Sequence, residues 1–191
     1  MSLARPKHSS PWVVDTRMLG RRPGQAKRWS RSVPAATPIG LAVIAVPADA
    51  DVQVDVLVEA VAEGVLVSGA AAATAAGECA RCLTPIEQPV RADFRELYAY
   101  PDSATAATTT DDEIPRLVDD LLDLEPLVVD ELVLALPLAP LCRSDCPGLC
   151  VECGERLAEL GPTHSHDIID SRWSALLGRS GGSDREAGRS G

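Results

Sequence analysis

The stretch Asp51-Val52-Gln53-Val54-Asp55-Val56-Leu57-Val58-Glu59, carried through a Glu63-Gly64 turn into Val65 to Ala76, decides the fold. Val52, Val54, Val56 and Val58 alternate with Gln53, Asp55, Leu57 and Glu59. A period of two sends one set of side chains to each face of a strand. Valine, stiff at χ1, suits such a pleated, half-buried surface. Downstream, Val90 to Tyr100 alternates in the same way, with Val90, Ala92, Phe94, Glu96 and Tyr98 on one face. Upstream, Leu41 to Val46 is an apolar run closed by Pro47. In Pro11 to Leu19, Trp12, Val14, Thr16 and Met18 alternate with Val13, Asp15 and Arg17 before an Arg21-Arg22-Pro23-Gly24 turn. Ala70 to Ala76 is open to strand or helix, because alanine is the strongest helix former. The predicted fold is α+β: an antiparallel β-sheet or partly closed barrel, one main C-terminal helix and a cysteine-rich zinc-binding segment.

The pattern changes after Tyr100. Residues 101–115 are rich in Thr and Asp and read as a mobile loop, and Leu117 to Leu122 suits a last strand. Residues 123–136 read as the helix, with Asp123 as N-cap and Pro126 in the first turn. Leu124, Leu127, Val128, Glu131, Leu132 and Ala135 recur three and four apart, and Pro137 and Pro140 end the helix before Cys142. A single domain is expected over residues 11–178, mainly β over 11–100, with tails at 1–10 and 179–191 rich in Gly, Ser and charge. Near its end, Trp173, Leu176 and Leu177 form a short amphipathic turn expected to dock onto its own domain.

Composition narrows the function. The 191 residues include one Phe, two Tyr and three Trp, so the core must be aliphatic. The opening residues carry no secretory pattern, and the apolar run Ile39 to Pro47 is too short to span a bilayer. A cytoplasmic, reducing setting with no membrane contact is expected, and there clustered thiols favour metal over disulfides. G-x-S-x-G, P-loop and G-x-G-x-x-G signatures are absent, which argues against an enzyme with a small-molecule substrate. The acidic run Asp111, Asp112, Glu113, Asp119, Asp120, Asp123 and Glu125 lacks the glycine of a calcium loop and reads as a solvated face. The net charge of −10 is unevenly spread: eight basic residues against two acidic ones leave residues 1–50 at +6, and the remainder stands at −16. A basic arm of this kind suits phosphates, and the acidic body suits basic proteins.

Six cysteines carry the chemistry: Cys79-Ala-Arg-Cys82 and, sixty residues on, Cys142, Cys146, Cys150 and Cys153. Four thiolates about 2.3 Å from a tetrahedral Zn²⁺ need only a pair of tight turns. Cys150-Val-Glu-Cys153-Gly154 has the form of a zinc knuckle. Loop closure favours the local set Cys142, Cys146, Cys150 and Cys153, and the alternative joins Cys79 and Cys82 to Cys150 and Cys153. The local set predicts that metal survives replacement of Cys79 and Cys82. His164 and His166 read as surface residues. A weaker reading makes Cys79 and Cys82 a thiol oxidoreductase site, although Gly77 before them and Thr84-Pro85 after them suit a β turn rather than a thioredoxin-like helix.

Taken together, Val14-Asp-Thr-Arg-Met-Leu-Gly-Arg-Arg-Pro-Gly24, Gly77-Glu-Cys-Ala-Arg-Cys-Leu83, Asp123-Leu-Glu-Pro-Leu with Asp130-Glu-Leu-Val-Leu-Ala-Leu-Pro137, and Leu141-Cys-Arg-Ser-Asp-Cys-Pro-Gly-Leu-Cys-Val-Glu-Cys-Gly154 resemble the YceD family of large ribosomal RNA subunit accumulation proteins. The cysteine-rich ending with Asp170-Ser-Arg-Trp173 is similar to its actinobacterial branch. The resemblance covers about residues 12–178. It implies a non-enzymatic factor for 23S rRNA accumulation or processing, with precursor 23S rRNA, a basic large-subunit ribosomal protein or both as partners. It matches Cys79, Arg81 and Cys82 to a C-x-R-C turn and the last four cysteines to a terminal set that some members lack. The expected RNA or partner contacts are Arg17, Arg21, Arg22, Arg28, Arg31 and Arg81. The alternative is a chaperone-like binder of a basic ribosomal protein that touches no RNA.

Overall fold

The computed structural model describes residues 9–111 and 113–166. The chain divides into two compact units, residues 1–146 and residues 147–191. The expected Trp173 contact and the tail at 179–191 lie outside the described residues.

In the first unit the valine alternation becomes β5 (Asp51–Val61), which pairs antiparallel with β6 (Gly64–Glu78) through the tight turn after Val61. Val52, Val54, Val56 and Val58 are buried together with Ala60, while Gln53, Asp55, Leu57 and Glu59 face solvent. At about 1.5–3 kcal/mol per buried valine, this face outweighs anything the exposed face contributes. β6 also pairs along its whole length with β7 (Pro85–Ala99), from Gly64↔Ala99 to Glu78↔Pro85. Its other edge is shared by β5 and, at Ala76–Gly77, by β4 (Ile44–Val46), which forms a hairpin with β3 (Ile39–Leu41). The alanine-rich stretch is thus strand: unbroken pairing with β7, joined on the other edge by β5 as far as Ala72 and by β4 at Ala76, overrides helix propensity. Gly69 is required where β6 meets β5, because a Cβ there would run into the Asp55 carbonyl and lie 2.6 Å from the Val56 Cα. β2 (Ala26–Pro34) completes the sheet on the far side of β5, with Trp29 opposite Val56 and Val33 opposite Val52. Neither β2 nor β7 closes on the other, so the sheet is open rather than a closed barrel. As an outer strand, β7 tolerates Pro89, which cannot donate to a second ladder.

Several local expectations shift. The alternation of residues 11–19 becomes only a three-residue β1 (Val13–Asp15), followed by a 3₁₀ turn at Arg17–Leu19. The Asp15 carboxylate accepts the Arg17 amide at 3.0 Å and turns the chain out of the strand. The last strand, β8 (Leu121–Asp123), starts later than Leu117 and pairs antiparallel with β1 in a separate two-stranded sheet. The segment read as a mobile loop carries α1 (Ala104–Thr108), capped by the Ser103 hydroxyl and tied down by Glu63, which accepts the Thr105 amide at 3.0 Å.

The main helix, α2 (Glu125–Ala135), forms as expected, but its N-cap is Leu124; Asp123 instead accepts the Glu125 amide at 3.0 Å. α2 packs on β7, β3 and β6. Its buried row is Leu124, Val128, Leu132 and Leu136, an i, i+4 spacing, while Ala135 faces solvent. Trp12, Phe94, Tyr98 and Tyr100 are the aromatic members of an otherwise aliphatic core.

Leu132 is fully buried and Leu134, two residues on, is 79% exposed. Leu132→Ala is expected to cost about 2–5 kcal/mol, and Leu134→Ala less than about 0.5 kcal/mol, measured by urea denaturation. Equal shifts would contradict this seating of the helix. Gly69→Val should cost about 1–3 kcal/mol by overpacking the β5–β6 seam.

Candidate metal centres

β6 ends at Glu78 and β7 begins at Pro85, so Cys79 and Cys82 sit in the connection that joins the two longest strands. The Cys79 amide donates to the Thr84 carbonyl at 2.9 Å and the Leu83 amide to the Cys79 carbonyl at 2.9 Å, which curls the connection into a knuckle. Leu83 takes a positive φ of 57° to close it. Two long-range bonds bring the chain leaving α2 onto this turn: the Ala80 amide donates to the Pro140 carbonyl at 2.8 Å, and Arg81 Nη1 donates to the Cys146 carbonyl at 2.9 Å. As a result Cys79 Sγ lies 3.8 Å from Cys146 Sγ, and Cys82 Sγ lies 3.7 Å from Cys142 Sγ.

These separations are diagnostic. A disulfide would bring sulfurs to about 2.05 Å. Four sulfurs about 2.3 Å from a central tetrahedral ion stand about 3.8 Å apart. All four Sγ atoms lie within 4.8 Å of one another, with Cys79, Cys82 and Cys146 buried, so the group could hold a metal ion. The electrostatics agree. The Cys142 amide points at the Cys79 sulfur and, against the opposing push of burial, the amides of Arg81 and Cys82 help it draw that thiol down to about 6. The Thr84 hydroxyl, 3.2 Å from the Cys82 sulfur, lowers the Cys82 thiol as well. Cys142 is pushed up to about 12, first by desolvation and then by the thiols of Cys146, Cys82 and Cys79. Four contiguous thiolates repel one another, and a divalent cation removes that repulsion.

The local set read from spacing is not brought together. Cys142 and Cys146 meet Cys79 and Cys82, whereas Cys150 and Cys153 group with His164 and His166. The alternative of Cys79 and Cys82 with Cys150 and Cys153 is not one of these two groups. Loop-closure entropy favours near neighbours only weakly, and the hydrogen bonds from Ala80 and Arg81 fix the longer-range grouping.

In the second unit the expected knuckle is present. The Cys150 amide donates to the Glu155 carbonyl at 2.7 Å and the Gly154 amide to the Cys150 carbonyl at 2.9 Å, with Gly154 at φ 74°, a conformation that costs glycine nothing. His164 Nε2 lies 3.4 Å from Cys150 Sγ and 3.7 Å from Cys153 Sγ, and His166 Nε2 lies 2.9 Å from His164 Nε2. This group too could hold a metal ion. The sequence reading set both histidines aside as surface residues; the signal that favours them as ligands is the H-x-H spacing downstream of a C-x-x-C knuckle.

The basic residues do not form a free arm. Arg17 is bound to Asp15, with Nε 2.9 Å from Oδ1. Arg21 pairs with Asp102 at 2.8 Å and stacks over the Tyr100 ring at 4.7 Å. Arg28 pairs with Asp55 across the β2–β5 ladder at 2.9 Å. Arg22 is exposed, and Arg81 braces the thiol group. Lys27, Trp29 and Arg31 alternate on one face of β2 and, with Met18 and Leu19, line a groove of about 210 Å³. The Arg31 guanidinium stands 5.5 Å from the Trp29 ring centroid.

Because the first group is one site, the double replacements Cys79→Ser/Cys82→Ser and Cys142→Ser/Cys146→Ser are each expected to lose the same single equivalent of metal, and the quadruple replacement no more than that. Elemental analysis of anaerobically purified protein measures this. Retention by the first double variant would restore the local set.

The comparisons with known proteins agree with these motifs. Residues 67–178 match the family model described as Large ribosomal RNA subunit accumulation protein YceD. Uncharacterized proteins of Mycobacterium bovis and Mycobacterium tuberculosis are 48% identical over 169 residues, covering 88% of this chain and 81% of theirs. An uncharacterized protein of Mycobacterium leprae is 44% identical over 167 residues, covering 87% of this chain and 76% of its own. No solved structure matches. Among the described residues no helix is long and apolar enough to cross a membrane. With a family model over more than half of its length and close relatives along most of it, this chain belongs to the YceD family, whose description names accumulation of large-subunit ribosomal RNA.

Proposed function

We propose that this chain is a non-enzymatic cytoplasmic factor in large-subunit biogenesis that supports 23S rRNA accumulation or processing and contacts precursor RNA directly. The observation that carries the RNA contact is the face of β2. Lys27 and Arg31 flank the partly buried Trp29 in a groove, a pairing of phosphate-seeking cations with a stacking surface that suits an unpaired nucleotide. Arg22 extends this basic surface, while Arg17, Arg21 and Arg28 have their charge offset by acidic partners. Arg81 is tied to the thiol group and acts as a brace rather than an RNA contact. In this reading Cys79, Cys82, Cys142 and Cys146 hold a structural Zn²⁺ that joins the β6–β7 turn to the chain after α2.

A second reading, a protein-only binder of a basic ribosomal protein, is favoured by the −16 charge outside residues 1–50. Co-purification with and without nuclease separates the two: a partner that survives nuclease is held by protein. The oxidoreductase reading is the weakest. Cys79 and Cys82 are buried, and each faces a further cysteine rather than an open approach for a substrate disulfide.

Affinity for precursor RNA is expected to fall steeply with salt. Lys27→Ala/Arg31→Ala should weaken binding and reduce the slope of log K against log salt by about 2, roughly one for each phosphate no longer neutralised. A mobility-shift titration at several salt concentrations measures this, and an unchanged slope would discard the β2 face as the RNA surface.

A further inference from the structure

Residues 147–166 pose a folding problem that the other described residues do not. Among the described residues of this segment Cys150 is the one buried apolar side chain, and Val151 is 93% exposed. Yet the backbone is ordered into a hairpin-like turn: besides the two bonds of the knuckle, the Leu157 amide donates to the Gly148 carbonyl at 3.0 Å, and Leu149 bridges Arg156. Small units bury little apolar surface and commonly draw part of their stability from disulfides or a metal. The side chains that do converge here are two thiols and two imidazoles.

Their geometry fits one ion. Tetrahedral Zn²⁺ with arms of about 2.3 Å to sulfur and about 2.05 Å to nitrogen sets S···N edges near 3.5 Å and an N···N edge near 3.3 Å. The observed S···N separations are 3.4 and 3.7 Å, and the N···N separation is 2.9 Å. Both imidazoles present Nε2 to the same point, although as neutral rings they gain at most one hydrogen bond from facing each other. All four ligand atoms lie within 4.8 Å of one another.

We propose that Cys150, Cys153, His164 and His166 form a second zinc site, distinct from the four-thiol group of the first unit, and that residues 147–166 take their fold from that ion. The ligands are two thiolates and two neutral imidazoles bound through Nε2, and binding displaces the thiol protons into solvent. A tetrahedral S₂N₂ set selects Zn²⁺ over harder cations. The chain therefore carries two zinc ions, one in each unit. The inference rests on metal content alone and stands or falls independently of RNA binding.

The test uses the full chain, purified anaerobically, stripped with chelator and reloaded with Zn²⁺, or with Co²⁺ as a spectroscopic probe. Two equivalents are expected in the wild type. His164→Ala/His166→Ala should retain one, with a cobalt spectrum dominated by thiolate charge transfer, and should become susceptible to proteolysis within residues 147–166 while its β-sheet circular dichroism is unchanged. Cys79→Ser/Cys82→Ser should retain one equivalent with the weaker charge transfer of an S₂N₂ site. Should that variant fail to fold, the histidine variant still decides, because its substitutions lie outside the sheet. Metal content left unchanged by the histidine substitutions would overturn the proposal, whereas one equivalent in the wild type that the histidine variant loses and Cys79→Ser/Cys82→Ser keeps would uphold it and remove the zinc from the four-thiol group instead.

Discussion

Pairing of β6 with β7 over fifteen residues is the constraint on which the first unit depends. β6 is paired with β7 along its whole length, and on its other edge with β5 from Gly64 to Ala72 and with β4 at Ala76 and Gly77. The ladder runs unbroken from Gly64↔Ala99 to Glu78↔Pro85, so its register dictates what lies at the tip. A slip of one residue would turn Phe94 and Tyr98 out of the core and carry Cys79 and Cys82 away from Cys142 and Cys146. The same register that buries the valines of β5 therefore aims the thiols.

Charge contributes little to this architecture and much to its surface. The pairs Arg17–Asp15, Arg21–Asp102 and Arg28–Asp55 are solvent-exposed, and such pairs are worth at most about 1 kcal/mol each, against about 1.5–3 kcal/mol for one buried valine. Their main effect is to neutralise arginines that the charge count of residues 1–50 treats as available. What remains concentrated is the face of β2, where an edge strand carries Lys27 and Arg31. Charged residues on an edge also discourage strand addition by a second chain, so the same side chains serve solubility.

The two groups of metal-ligating side chains are built by different means. Around Cys79 a long hairpin, a helix and two hydrogen bonds from Ala80 and Arg81 bring distant thiols together, so the scaffold precedes the site. Around Cys150 a glycine-closed knuckle and a following H-x-H lie within one short segment, and no apolar core supports them among the described residues. In the first unit an ion would relieve repulsion among thiols already assembled; in the second it would supply the cohesion itself.

The sequence by itself determined the strands of β5 and β7, the start of β6, the helix at α2 and the knuckle form of Cys150 to Gly154, because alternation, proline punctuation and C-x-x-C spacing are local signals read over a few residues. It also carried the family motifs. Tertiary structure alone decided which thiols meet, since Cys79 reaches Cys146 only through the β6–β7 register and the path of the chain after α2. It decided as well that Ala70 to Ala76 is strand, that Lys27 to Arg31 lie in a sheet, and that His164 and His166 turn toward sulfur. Each of these depends on a partner far along the chain or on a loop path with no periodicity, and no local pattern of residues encodes such a partner.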